Sequence, residues 1–193
     1  MINYPNGKKI KIVEKKEINK KHLLNAANRG MDLENDINDS NNFYRENNLC
    51  LVTKRPTPIN IVKVDYSMGA KIVDAYFEKQ STTDYNGVYK SRYIDFEAKQ
   101  TQSKTSIPLS NIPSQQIEHL KLVIQHGGIA FFIIRFSKLD ETYLLDAKYV
   151  INFSCSNKRK SLSYEYIKEN GKLIEVSYHP RLNYLKIIDE LYF

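Results

Sequence analysis

The sequence predicts an α/β fold in which a mixed central β-sheet is flanked by helices. Three observations carry that prediction. Tyr93 to Lys99 alternates strictly, with Ile94, Phe96 and Ala98 on one side and Asp95, Glu97 and Lys99 on the other, the period of a strand resting one face on a core. Ile129 to Phe136 is a nearly continuous apolar run, which is how a strand buried on both faces reads. Leu33, Ile37 and Tyr44, and farther on Ile117, Leu120 and Ile124, recur at helical spacing and form apolar stripes.

The remaining elements follow in chain order. Residues 1–27 read as a basic arm, because the lysines between Lys8 and Lys21 are too dense and the core candidates too few for packing. A helix spans 29–46, with Glu34 at the edge of its stripe. Cys50 to Lys54 is a short strand ended by Pro56 and Pro58, and Ile59 to Tyr66 is again β-like. Ser67 to Gln80 interrupts the fold. Asn86-Gly87 is a strong hairpin signal that would fold Asp84 back beside Glu97. Ser110 to Gln125 is a helix with Pro113 in its first turn and Gly127-Gly128 as its stop. After the apolar strand, Lys138 to Glu141 turns the chain into Thr142–Leu145, Asn157 to Ser161 is a basic loop, and Lys172 to Tyr178 is a further strand. Leu182, Leu185, Ile188 and Leu191 mark a closing helix. Neither repeats nor a linker divide residues 28–193, which read as one domain.

Composition narrows the function classes. The 193 residues are 41% hydrophobic, enough for one core, and no apolar run approaches the ~20 residues of a membrane helix. The first residues lack the apolar segment of a signal peptide, so the expected location is cytoplasmic. Two isolated cysteines, Cys50 and Cys155, argue for a reducing compartment and against a zinc site. A net charge of +7 favours a polyanionic partner. The 14 tyrosines and 8 phenylalanines supply stacking faces, although most belong to a core.

The chemistry concentrates between Ser81 and Lys99. Glu97-Ala98-Lys99 follows Asp84 by 13 positions. An aspartate, a turn, and a strand carrying Glu-x-Lys put two hard carboxylates and one ammonium around one point. That set suits Mg²⁺, which takes carboxylates plus several waters, and phosphodiester hydrolysis. The spacing fits equally well an exposed edge strand with an Asp/Glu/Lys salt-bridge face. Asp95 shares the face of Glu97 and competes as a ligand, although residues two apart along a strand are roughly 6–7 Å apart. None of the four histidines has a partner set for metal binding.

Several words of the sequence carry a resemblance. Asn3–Gly7, Asn28–Met31, Lys54–Pro58, Val64–Tyr66, Ala75–Phe77, Ser81–Tyr89, Arg92–Lys99, Gln116–His119 and Leu185–Tyr192 together resemble the RecU family of bacterial Holliday junction resolvases, nearly end to end. The resemblance implies a restriction-endonuclease-like fold, a homodimer, and Mg²⁺-dependent cutting of four-way DNA junctions in recombination and repair, with Mn²⁺ able to substitute. It implies catalytic roles for Asp84, Glu97 and Lys99, and a metal environment of Thr82, Asp84, Glu97 and Gln116. A glutamate on the first helix, here Glu34, is a supporting candidate. The resemblance also implies that residues 67–80 form a stalk entering the open centre of a junction. Lys71, Tyr76, Phe77 and Lys79 would then meet DNA, with Arg29, Lys54, Arg55, Lys90 and Arg92 as further phosphate contacts; a plain strand-loop with Tyr76 or Phe77 in the core is the alternative. Two rival functions remain at this point: a duplex-specific endonuclease of the same fold, and a non-catalytic DNA-binding module that regulates a recombinase.

Overall fold

The computed structural model describes residues 20–78, 82–156 and 159–193, with side chains from Leu33 onward except that of Ser156. Its centre is a six-stranded sheet in the order β1-β4-β5-β7-β8-β10. These strands are β1 (Leu51–Lys54), β4 (Tyr85–Tyr89), β5 (Arg92–Thr101), β7 (Ile129–Phe136), β8 (Glu141–Asp146) and β10 (Lys172–Leu173). Only the β5–β7 pair is parallel, from Ile94 opposite Ile129 to Thr101 opposite Phe136; every other neighbour is antiparallel. The sheet is therefore mixed, as the sequence predicts. The parallel pair is joined through α2 (Ser114–Gln125), the crossover that parallel strands require.

Both faces of the sheet are covered, which explains why β7 shows no polar alternation. Phe131 and Ile133 pack with Phe96, Tyr184 and Ile188 under α1 (Lys20–Glu46) and α5 (Tyr184–Tyr192). Phe132 and Ile134 pack with Leu120, Val150 and Ile167 under α2, α3 (Ala147–Ser156) and α4 (Tyr164–Asn170). Tyr85, Phe96 and Phe131 stack across three neighbouring strands at centroid spacings of 4.9 and 4.7 Å, so the strands around the site are rigidly packed. Leu33, Ile37 and Tyr44 are buried along α1, as their spacing requires.

The structure departs from the sequence reading at several elements. Helix α1 begins at Lys20, so the last part of the expected arm is helical; residues 1–19 lie outside the described residues. Asn86-Gly87 lies inside β4, and the turn falls at Lys90 and Ser91, whose φ angles of 45° and 63° are the left-handed pair of a type I′ turn. Gly87 answers a different demand. A Cβ there would stand 2.0 Å from the Leu51 carbonyl oxygen, so β1 can pair only with a glycine. The turn residues are instead held by tertiary contacts: Lys90 Nζ is 2.6 Å from Asp189 Oδ1 and lies over the rings of Tyr89 and Phe193.

The α2 helix starts at Ser114, after a 3₁₀ turn at Leu109–Asn111, because Pro113 holds an extended backbone just before it. Its buried face is Gln116, Leu120 and Val123, rotated from the predicted Ile117, Leu120 and Ile124. In α5 the buried residues are Tyr184, Leu185, Ile187 and Ile188, while Leu191 is exposed. The strand expected over 172–178 shortens to β10, and α3, α4 and β9 (Ser161–Ser163), which pairs with β6 (Ser106–Pro108), were not anticipated. Ile59–Asp65 is indeed a strand, β2. Its partner is β3 (Lys71–Phe77), inside the segment read as an interruption, and the two form a separate two-stranded sheet. No residue of β3 is buried.

Candidate active site

The β4–β5 register places Tyr85 opposite Phe96 and so brings Asp84, just before β4, beside Glu97. The backbone interlocks the two acids. The Asp84 N–H donates to Glu97 Oε2 at 3.1 Å, and the Ala98 N–H donates to Asp84 Oδ2 at 3.3 Å. Lys99, one alternation farther along the same face, donates to Glu97 Oε1 at 2.6 Å. Glu97 is 1% exposed. Burial, and then the neighbouring Asp84 charge, push its carboxyl up to about 7, while Lys99 pulls in the opposite direction. Two acids and one lysine thus meet as the spacing suggested, on an interior strand with Glu97 buried and Asp84 and Lys99 partly exposed.

Helix α2 closes the site from the other side. Gln116 is 3% exposed; its Nε2 donates to the Thr82 carbonyl at 3.3 Å, and its Oε1 is buried without a hydrogen-bond partner among the described residues. The rotation of α2 noted above is what turns this side chain inward. A buried acceptor left without a donor is costly in a finished core and suits a ligand. Among the described residues, no three His, Cys, Asp or Glu side chains gather as a metal cluster. The donor set is two carboxylates plus neutral oxygens, which fits a hard cation that keeps several waters and does not fit zinc.

Asp95 has another place. Its carboxylate is fully buried and accepts from Arg55 Nη2 at 2.7 Å, from the Tyr93 hydroxyl at 2.8 Å and from the Thr83 hydroxyl, with His119 Nε2 at 2.9 Å. Its oxygens are engaged, so the reading of Asp95 as a competing ligand is corrected. Arg55, expected as a phosphate contact, directs its guanidinium to Asp95, Thr83 and Tyr93. Thr83, Tyr93 and His119 were missed. The available signal was His119, three residues after Gln116 and hence on its side of one helix.

The other candidates disperse. Glu34 pairs with Lys54, both partly exposed, at the rim beside Tyr85. Lys90 and Arg92 lie at the far end of the β4–β5 hairpin, about 14 Å or more along the strand from Tyr85 by its rise per residue. Arg92 donates to the Gly127 carbonyl at 2.9 Å. Lys71, Tyr76 and Phe77 are exposed on β3, the two rings by 60% and 78%, so neither aromatic belongs to the core. Lys79 and the side chain of Arg29 lie outside the described residues.

Comparison with known proteins places this arrangement. Residues 28–190 match the family described as Recombination protein U. Proteins named Holliday junction resolvase RecU from Bacillus cereus (strain AH820), Bacillus anthracis (strain A0248) and Bacillus mycoides (strain KBAB4) are each 50% identical to this chain over alignments covering 100% of it and 98% of the relative. A fainter likeness, with a TM-score of 0.43 and 10% identity over 75% of this chain and 95% of the other, is to the Holliday junction resolvase Hjc of Archaeoglobus fulgidus; it adds nothing to the assignment. With half of its positions shared end to end with those enzymes, and with the matched span running from α1 through the sheet and α2 into α5, this chain belongs to the RecU family.

Proposed function

We propose that this member of the RecU family is a structure-specific endonuclease that resolves four-way DNA junctions by paired phosphodiester hydrolysis, with Mg²⁺ as its cofactor and Mn²⁺ as a substitute. The observation that carries the reading is the convergence of Asp84, Glu97 and Lys99, with Gln116 bound to the neighbouring Thr82 carbonyl and its buried Oε1 unpartnered among the described residues. Asp84, Glu97, Thr82 and Gln116 are the residues that would hold the metal. Bound there, Mg²⁺ supplies a Lewis acid for the scissile phosphate and its attacking water. Glu97 would hold the metal as its carboxylate, the form that Lys99 at 2.6 Å favours. The Lys99 ammonium stays beside the reacting centre, where it orients the water and offsets charge building on the phosphate oxygens.

Symmetric cutting of a junction needs two such sites, so the working unit is a two-fold dimer acting on DNA in the cytoplasm. The β2–β3 hairpin, with Lys71, Tyr76 and Phe77 exposed, supplies stacking and charge for the open centre of the junction. A purely DNA-binding or recombinase-regulating module has no need for a buried glutamate beside a second carboxylate and its own lysine, so that reading has less support. The test is a synthetic immobile four-way junction beside a matched linear duplex, each with Mg²⁺ or with EDTA. Equal cutting of both substrates would favour a generic nuclease, and binding without cutting would favour the regulating module.

A further inference from the structure

Behind the metal-binding carboxylates lies a second buried polar cluster that the proposed chemistry does not use. Asp95 occupies β5 two residues before Glu97, on the same face. It is 0% exposed and gathers Arg55, Tyr93, Thr83 and His119. Those partners come from different parts of the fold. His119 comes from α2, one turn beyond Gln116. Thr83 lies between Thr82 and Asp84. Arg55 follows β1 directly, and its backbone N–H donates to the Asp84 carbonyl at 2.7 Å. The guanidinium completes the attachment by donating to Thr83 Oγ1 at 2.9 Å.

The loop that presents Thr82 and Asp84 is therefore fastened at its middle residue, side chain and backbone together, to the strand that presents Glu97 and to the helix that presents Gln116. Resting on the nuclease reading above, we propose that Arg55, Thr83 and Asp95 are positioning residues for cleavage: a clamp, buried at Thr83 and Asp95, that fixes the spacing of Asp84, Glu97 and Gln116. Arg55 is suited to it because its planar fork reaches Asp95 and Thr83 simultaneously, which a lysine point charge cannot do. The clamp acts where the chain enters the sheet, since Asp84 stands just before β4. Misplacing a reacting group by about 1 Å costs on the order of 100-fold in rate.

The test compares Thr83→Val, which keeps the shape and loses the hydroxyl, with Thr83→Ser, which keeps the hydroxyl, and Arg55→Gln with Arg55→Lys. Four readouts are taken: melting temperature, junction affinity in EDTA, single-turnover cleavage at saturating enzyme, and calorimetric Mn²⁺ binding without DNA. Thr83→Val and Arg55→Gln should slow cleavage by about 10- to 100-fold. They should also weaken Mn²⁺ binding several-fold while leaving junction affinity within about two-fold of wild type, since Thr83 is buried and the partly exposed Arg55 spends its guanidinium on Asp95, Thr83 and Tyr93. Thr83→Ser should restore both rate and metal binding, and Arg55→Lys should restore them only in part. If Arg55→Gln instead weakens junction binding, lowers its salt slope by about one, and cuts normally when saturated, Arg55 is a phosphate contact and the clamp is wrong. If the variants only melt earlier, with normal rate and normal Mn²⁺ affinity in the folded protein, the cluster is structural and the proposal also fails. Should Arg55→Gln not fold, the Thr83 pair carries the same decision. A wild-type protein that cuts no junction would overturn the nuclease reading instead, and the Mn²⁺ arm would still judge the clamp.

Discussion

Glu97 shows how one residue can serve function at the expense of stability. Its carboxyl is held near 7 because burial and Asp84 both oppose ionisation. The folded state therefore binds this proton more tightly than the unfolded chain. Its stabilising contribution is complete below the ordinary carboxylate range, near 4.5, and is lost as the pH rises through about 7. Glu97→Gln removes that loss. Without divalent metal, the variant should melt at about the wild-type temperature at pH 4.5 and several degrees higher at pH 8, with the difference appearing between those values; a pH-independent difference would mean that Glu97 is not under this strain. The same proton competes with metal, so wild-type Mn²⁺ affinity in calorimetry should fall as the pH drops from 8 to 6. Glu97 and Lys99 were legible on one face because strand alternation fixes it, while Asp84 reaches them through a hairpin whose turn lies at Lys90 and Ser91 rather than at Asn86-Gly87. The partners of Asp95 were not legible, since Arg55, Thr83 and His119 meet it across separations that no local pattern encodes.

At the scale of elements, period and apolar continuity located β5, β7 and α1, whose burial is decided within the element itself. Tertiary demands overrode the local signals elsewhere. Asn86-Gly87 is a strong turn word, yet Gly87 is required where β1 passes its backbone. Gly87→Ala should therefore cost about 1–3 kcal/mol or more through forced separation of β1 and β4, measurable by denaturant unfolding. A change near zero would mean that this edge pairing contributes little. The α2 face was misread by one position because a buried polar side chain, Gln116, takes a core place that an apolar count assigns to Ile117. The interruption at 67–80 was visible, but its extent was not, because β2 reads as an ordinary strand and only pairing shows that it belongs with β3. The hairpin should therefore be removed whole, from Ile59 to Phe77. The Glu78 N–H already donates to the Pro58 carbonyl at 3.0 Å, so a short linker can close the gap. The shortened protein should melt within a few degrees of wild type, retain metal binding, and lose much of its preference for junctions over duplex in parallel cleavage assays. Collapse of its circular dichroism signal would show that the hairpin supports the core.

Across the whole molecule, a two-sided α/β core holds β4, β5 and α2 rigidly enough that a few polar groups can be placed at their meeting point. Among the described residues, no helix is long and apolar enough to cross a membrane, and the charge of +7 suits a nucleic-acid partner. The central claim is that this meeting point hydrolyses junction DNA. The most direct measurement follows strand cleavage of an immobile four-way junction and its matched duplex by the wild-type protein and by Glu97→Ala, with Mg²⁺ and with EDTA. The account predicts paired, symmetric nicks at the junction centre that require Mg²⁺, far weaker cutting of the duplex, and loss of cleavage in Glu97→Ala while junction binding persists. Mg²⁺-dependent junction cleavage by Glu97→Ala at the wild-type rate would contradict it and place the active site elsewhere in the fold.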